Sequence, residues 1–424
     1  MGLPWWLEAK IYELYVDRFA GDLRTLTGKL SYFERLGINT LHILPHYPSP
    51  MVDDGYDVSD YRAVRPDLGT MDDFRALTAA AHARGIRIMV DCVLNHVSER
   101  HPWFAEARGS KRNPRRDFFI WSRTGAELPN APNAFKDFKD SNWIRNDATD
   151  DYYYATFYPQ QPDLNWGNPE VASEMQEILD FWVAAGVDGF RLDAVPFLLE
   201  QEGASSLNIP ATHAIITALR RHLDDTYGEQ IAFLAEVVMP AVESVAYFGN
   251  GHESQLVYHF QLATQMFVAL MRRDRSRLDA MMRETFGVLP PHSQWATFLR
   301  NHDDLALGML DEDERLELIR FLDPSQRYLF NKGAGVSVRL GTIFENEPER
   351  IVEAYDLLYS LPGAPILYYG DEIGMRNTQE GDHADTRRYV RGQFDWAAAE
   401  RMLADPTSLL NRVARLIHDH HGVR

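Results

Sequence analysis

The chain has 424 residues, is 45% hydrophobic, and carries 43 basic against 62 acidic side chains, a formal net charge of −19. So negative a surface repels phosphate backbones and argues against nucleic-acid binding. The length exceeds an ordinary single domain, which leaves one large barrel with an insertion, or two domains. The one cysteine, Cys92, excludes an internal disulfide, and no apolar run reaches the ~18 residues of a membrane span. The start, MGLPWWLEAKIYELY, lacks the basic and apolar regions of a signal peptide, so a soluble cytoplasmic protein without membrane partners is expected.

Eight apolar or β-branched runs read as strands: 9–16, 40–45, 86–93, 187–194, 231–237, 255–260, 294–301 and 364–370. Helix-period segments lie between them, clearest at 71–85, 169–186 and 349–363, and each of these ends in glycine. Strand and helix in alternation make a parallel sheet, and eight units make a closed (β/α)₈ TIM barrel. Residues 97–165 are too long for a simple loop after the third strand. Their aromatic runs (HPWF, DFFIWS, NWIRND, DDYYYATFY) point to a small inserted subdomain over the C-terminal mouth. The barrel is then expected over 1–96 and 166–424, with the insertion over 97–165.

Polar residues cluster where these strands end. The third strand runs into Asp91 and His96, the fourth into Arg191 and Asp193, the fifth into Glu236, and the seventh into Arg300, His302, Asp303 and Asp304. In a barrel those ends form one rim, which is where active sites lie. Three converging carboxylates suit glycoside chemistry: one attacks the anomeric carbon, one protonates the leaving oxygen, one stabilises the oxocarbenium-like transition state. Arg191, two residues before Asp193 on the same strand face, would keep a nucleophile ionised.

The segments DCVLNH, GFRLDAVPF, LAEV and FLRNHDD, with QPDLNW (161–166) and YYGDEIGM (368–375), resemble the ordered signature regions of the α-amylase family of glycoside hydrolases. The resemblance covers essentially the whole chain. It implies that Asp193 is the nucleophile of a covalent glucosyl-enzyme intermediate, Glu236 the general acid/base, and Asp303 the transition-state stabiliser. It further implies that Arg191 supports the nucleophile, that His96 and His302 contact the transferred glucosyl unit, and that Tyr56 in VDDGYDVSDY stacks on it. Asp53 matches an aspartate that closes the pocket of exo-acting members by pairing with a late arginine. Arg391 fits the spacing of that arginine, with Arg387 and Arg388 as alternatives. Asp91 reads as an internal hydrogen-bonding residue.

Substrate signals divide. QPDLNW resembles α-glucosidases and oligosaccharide isomerases, DGFRLDAVPFLLEQEG resembles trehalose synthases, and RRYVRGQFDW resembles amylosucrase-type members. The implied substrate is a small α-glucoside of the sucrose, maltose or trehalose type. Hydrolysis, transfer and isomerisation share the first half-reaction. No cofactor is expected. The segment YVDRFAGDLRTLTG lacks the alternating Asp and Asn of the calcium loop seen in some relatives, so no metal is expected there. Most family members continue into a C-terminal β-sandwich. Here the chain stops in or just after the eighth helix, and an exposed apolar edge is the expectation. A non-catalytic family member would be expected to have lost a carboxylate. A phosphate-binding barrel would need a glycine-rich loop after the seventh or eighth strand, and none is present.

Overall fold

The computed structural model describes residues 3–379 and 381–421. The eight runs form β1 (Ile11–Leu14), β2 (Thr40–Ile43), β3 (Arg87–Val93), β4 (Gly189–Asp193), β5 (Ala232–Ala235), β6 (Leu256–Tyr258), β7 (Gln294–Phe298) and β8 (Ala364–Tyr368). Each pairs in parallel with the next, and β8 returns to β1, closing a (β/α)₈ barrel. Arg87 aside, every strand residue is buried. Burial on both faces is why these strands read as continuous apolar runs rather than alternating ones.

The outer ring is α1 (Leu30–Leu36), α2 (Met71–His82), α3 (Pro169–Ala184), α4 (Pro210–Tyr227), the single turn α5 (Ala241–Ser244), α6 (Phe260–Arg272), α7 (Pro348–Tyr359) and α8 (Leu409–Asp419). Local chemistry sets their starts. Thr70 and Asp73 form a reciprocal capping box on α2, and Asn168 caps α3 with Pro169 in its first turn. The helix α8 buries Leu409, Leu410, Val413, Ala414 and Ile417, and packs on α1 and α7. A buried leucine contributes ~1.5–3 kcal/mol, so this face is an integral part of the ring. The apolar edge expected there is not found. Among the described residues the large apolar side chains left exposed are Leu3, Val238, Val242, Val288 and Leu316, none of them on α8. No described helix is long and apolar enough to cross a membrane.

Two excursions cover the mouth. The one between β3 and α3 holds a helix (Pro102–Gly109) and a three-stranded antiparallel sheet with Asp151–Tyr154 between Trp121–Ser122 and Trp143–Asn146. The other, between β7 and α7, was not anticipated. It holds a helix (Glu312–Leu322) and a sheet with Gly335–Val336 between Leu305–Ala306 and Leu329–Phe330. Strands of two residues leave no periodicity to read. Phe330 from this second excursion packs edge-on against Phe135 and beside Tyr158 of the first, forming an apolar cluster apart from the main core.

Candidate active site

The site grows from the end of β4. Register sets Asp91 opposite Arg191 and Val93 opposite Asp193. Arg191 is 1% exposed, and its guanidinium reaches three carboxylates. Its Nη1 donates to Asp91 Oδ1 at 2.6 Å and to Asp193, and its Nη2 lies 2.7 Å from Glu236 Oε1. One buried cation therefore grips both the sequence-predicted nucleophile and the predicted acid. Directly after Asp193, Ala194 sits in the left-handed region at φ 50°, ψ 34°, a strained conformation for a non-glycine residue. The turn aims the Ala194 N–H at Glu236 Oε2, 2.9 Å away.

The three carboxyls sit in different electrostatic settings. Burial, reinforced by Asp193 and Asp303 and opposed by Arg191, pushes Glu236 up to about 7. Burial also pushes Asp193 up to about 6, with Asp91 and Asp303 adding to the rise and Arg191 opposing it. Burial would raise Asp303 too, but His302, Arg387 and Arg391 hold it well below the usual carboxylate range. One carboxyl is thus poised to donate a proton near neutrality while another stays ionised, the division of labour that acid/base chemistry on a sugar requires.

His302 and Tyr56 stand beside Asp303. The two rings stack with centroids 5.4 Å apart, and the Tyr56 hydroxyl lies 2.6 Å from His302 Nε2. Gln161 Nε2 contacts His96 Nε2 at 3.1 Å and donates to Asp53 Oδ2 at 3.0 Å, tying His96 to the pocket wall. Burial lowers the His96 pKa, despite the pull of Asp163 and Asp53, so its ring stays neutral at physiological pH.

The late arginine needs a correction. The partner of Asp53 is Arg387, at 2.7 Å, not Arg391. Arg391 instead pairs with Asp54 at 2.7 Å and with Asp303 at 2.9 Å, while its Nε donates to the His302 carbonyl at 3.0 Å. Three neighbouring arginines in one irregular segment cannot be told apart by spacing. The turn at Thr386–Val390, started by Asp385, aims Arg387 inward. Arg387 also meets Asp385 at 2.7 Å and Asp303 at 3.2 Å, and lies between the Phe135 and Phe330 rings at 4.8 and 4.9 Å.

Part of this set encloses a cavity of about 320 Å³, with Arg191, His302 and Arg391 behind its wall rather than on its lining. Asp193, Glu236 and Asp303 line it together with Asp53, Tyr56, His96 and Arg387. Phe157, Phe197, Leu207, Met239 and Phe260 supply an apolar wall. Asp304 faces the same space, and burial beside Asp303 pushes it up to about 6. Gly335 makes room for it: a Cβ there would overlap the Asp304 carboxylate. Among the described residues no group of three or more His, Cys, Asp or Glu side chains is placed to hold a metal ion. Sequence reasoning passed over Gln161, Asp385, Phe135 and Phe330. Gln161 carried a signal, since it opens the QPDLNW motif, whereas Phe135 and Phe330 depend on how the two excursions meet and Asp385 on the turn after β8.

A barrel with this rim of carboxylates defines a class, and comparison with known proteins agrees. Residues 10–322 match the α-amylase catalytic domain, and the chain belongs to the α-amylase family. Among curated relatives it is 41% identical over 401 residues to a trehalose synthase of Thermus thermophilus, covering 93% of this chain and 41% of that protein. It is 42% identical over 382 residues to a trehalose synthase/amylase of Mycolicibacterium smegmatis, covering 88% of this chain and 64% of that one. The chain thus spans less than two thirds of the length of either relative. A solved structure of a trehalulose synthase mutant in complex with the substrate sucrose superposes with a TM-score of 0.79 at 26% identity, covering all of this chain and 85% of that one.

Proposed function

We propose that this chain is a retaining enzyme that detaches the terminal α-glucosyl unit of a small α-glucoside and passes it to a second sugar hydroxyl. Asp193 attacks the anomeric carbon while Glu236 protonates the departing oxygen. Asp303, backed by His302, holds ring hydroxyls and stabilises the oxocarbenium-like transition state, and Glu236 then deprotonates the incoming acceptor. The observation that carries this reading is Arg191 gripping both Asp193 and Glu236, which sets nucleophile and acid side by side as a double-displacement mechanism needs. The Asp53–Arg387 pair in the cavity wall favours a pocket that takes one terminal glucose.

Transfer and isomerisation are favoured over hydrolysis on two grounds. The apolar wall of Phe157, Phe197, Leu207, Met239 and Phe260 offers faces on which a second sugar can pack beside the intermediate. The relatives are described as trehalose synthases, and the structural neighbour holds sucrose. Trapping tests the proposal directly. A 5-fluoro-α-glucosyl fluoride, whose ring fluorine slows breakdown of the intermediate, should add one fluoroglucosyl mass to the peptide that contains Asp193. Labelling elsewhere, or no labelling of an active enzyme, would overturn the nucleophile assignment.

A further inference from the structure

Beneath the cavity, buried charges alternate in sign from one side of the site to the other. Asp303 Oδ2 is 3.0 Å from His302 Nε2, and His302 Nδ1 is 2.9 Å from Glu13 Oε1. Glu13 Oε2 is 3.3 Å from His42 Nδ1, and His42 Nε2 is 3.0 Å from Asp91 Oδ2. Asp91 then accepts from Arg191, which grips Asp193 and Glu236. Glu13, His42, Asp91 and His302 have no solvent exposure. Strand register builds the series: Glu13 lies opposite His42 across β1 and β2, and Asp91 opposite Arg191 across β3 and β4.

The surrounding carboxylates favour the charged form of both rings. A neutral imidazole has one N–H and one lone pair. His302 Nδ1 bonds Glu13 at 2.9 Å, and its Nε2 lies 2.6 Å from the Tyr56 hydroxyl and 3.0 Å from Asp303 Oδ2; His42 Nε2 bonds Asp91 at 3.0 Å, while its Nδ1 faces Glu13 at 3.3 Å without a hydrogen bond. With carboxylates facing both ring nitrogens of each histidine, the imidazolium form is electrostatically favoured in both. Glu13 is the anion between them. It accepts the His302 ring Nδ1–H and backbone N–H, both at 2.9 Å, and the Tyr258 hydroxyl at 3.2 Å. Removing one member leaves its neighbour as an uncompensated buried charge.

We propose, resting on the glucosyl chemistry above, that Glu13 and His42 are positioning residues: they hold His302 as a cation behind Asp303, fixing that carboxylate at the sugar site, and they brace Asp91 and Arg191 under the nucleophile. The groups facing His302 are Glu13 and Tyr15 from β1 and its end, Tyr56 from the loop after β2, Asp91 from β3, its neighbour Asp303, and Arg391, which binds its carbonyl. Those facing His42 are Glu13 and Asp91. Burial alone would lower both histidines, but their carboxylates outweigh it, lifting His302 to about 9 and raising His42 in the same direction.

The test is NMR of ¹⁵N-histidine-labelled whole protein without substrate, titrated through neutral and alkaline pH, alongside kinetics of Glu13→Gln and His42→Gln. Two imidazolium rings at neutral pH are expected, with the His42 signal identified by its absence from His42→Gln. Glu13→Gln should move the His302 midpoint acidward by about 1–3 pH units, because an adjacent opposite charge is removed. It should also lower kcat roughly 100-fold with little change in KM, the effect of a misaligned reacting group. A merely structural pair would cost thermal stability and leave kcat within about threefold of the parent's. Neutral rings in the unsubstituted protein, or an unmoved midpoint in Glu13→Gln, would overturn the proposal. If Glu13→Gln does not fold, the ring protonation of the unsubstituted protein and of His42→Gln decides. Since the spectra need no substrate, failure to turn over glucosides would refute the glucosyl reading alone.

Discussion

Replacing Arg387 by alanine removes a cation that three carboxylates of the pocket share. Its guanidinium lies 2.7 Å from Asp53, 2.7 Å from Asp385 and 3.2 Å from Asp303. All three carboxylates would then crowd one buried space with that charge gone. Truncating one member of a buried, hydrogen-bonded charge pair costs about 2–5 kcal/mol. If that loss is felt in the transition state, kcat/KM on the preferred disaccharide falls between roughly 30-fold and several thousand-fold, at ~1.36 kcal/mol per decade. Losing the rings' shared cation should loosen Phe135 from Phe330 and add about 0.5–2 kcal/mol per contact. Arg387→Lys keeps the charge but not the planar fork, so it should recover only part of the rate. The assay is steady-state kinetics on disaccharide and on longer maltooligosaccharides, with denaturant melts for stability. The alanine variant should lose disaccharide activity most and gain relative activity on longer chains, because the wall beside Asp53 has opened. A variant within about threefold of the parent on every substrate would refute the reasoning.

Asp193→Asn should lower kcat by at least about 1000-fold while leaving the unfolding midpoint close to the parent's, measured by kinetics and circular dichroism. Glu236→Gln should slow glucosides with poor leaving groups by about 10²–10⁴ and activated aryl glucosides far less; equal losses on both would argue against an acid role. The pH profile of kcat/KM should be a bell. Activity rises as Asp193 deprotonates through about 6 and falls as Glu236 loses its proton through about 7, so the optimum lies between. Gly335→Ala should displace Asp304, whose Cγ would lie 2.6 Å from the new methyl, costing about 1–3 kcal/mol of stability and reducing activity, as read by melts and rates.

Much of the barrel was legible because parallel strands buried on both faces leave unmistakable apolar runs, and all eight fall where those runs predicted. GFRLD was legible as a site because charge at the end of such a run is costly without a partner. Arg387 was not separable from Arg391, since the choice depends on a short turn set by Asp385 rather than on spacing. The second excursion hid in the long gap before β8, because its two-residue strands have no period. The run TLHILP gave no hint that His42 sits between two buried carboxylates: Glu13 and Asp91 come from two other strands, and only the strand register brings them together.

The most direct test of the central claim is to incubate the purified chain separately with sucrose, maltose and trehalose and follow the anomeric protons by NMR from the first minutes. The account predicts consumption of at least one of them, with the first glucosyl product, whether free glucose or a new disaccharide, in the α configuration. Early β-glucose would contradict a retaining double displacement at Asp193, and no change with any of the three would contradict activity on small α-glucosides.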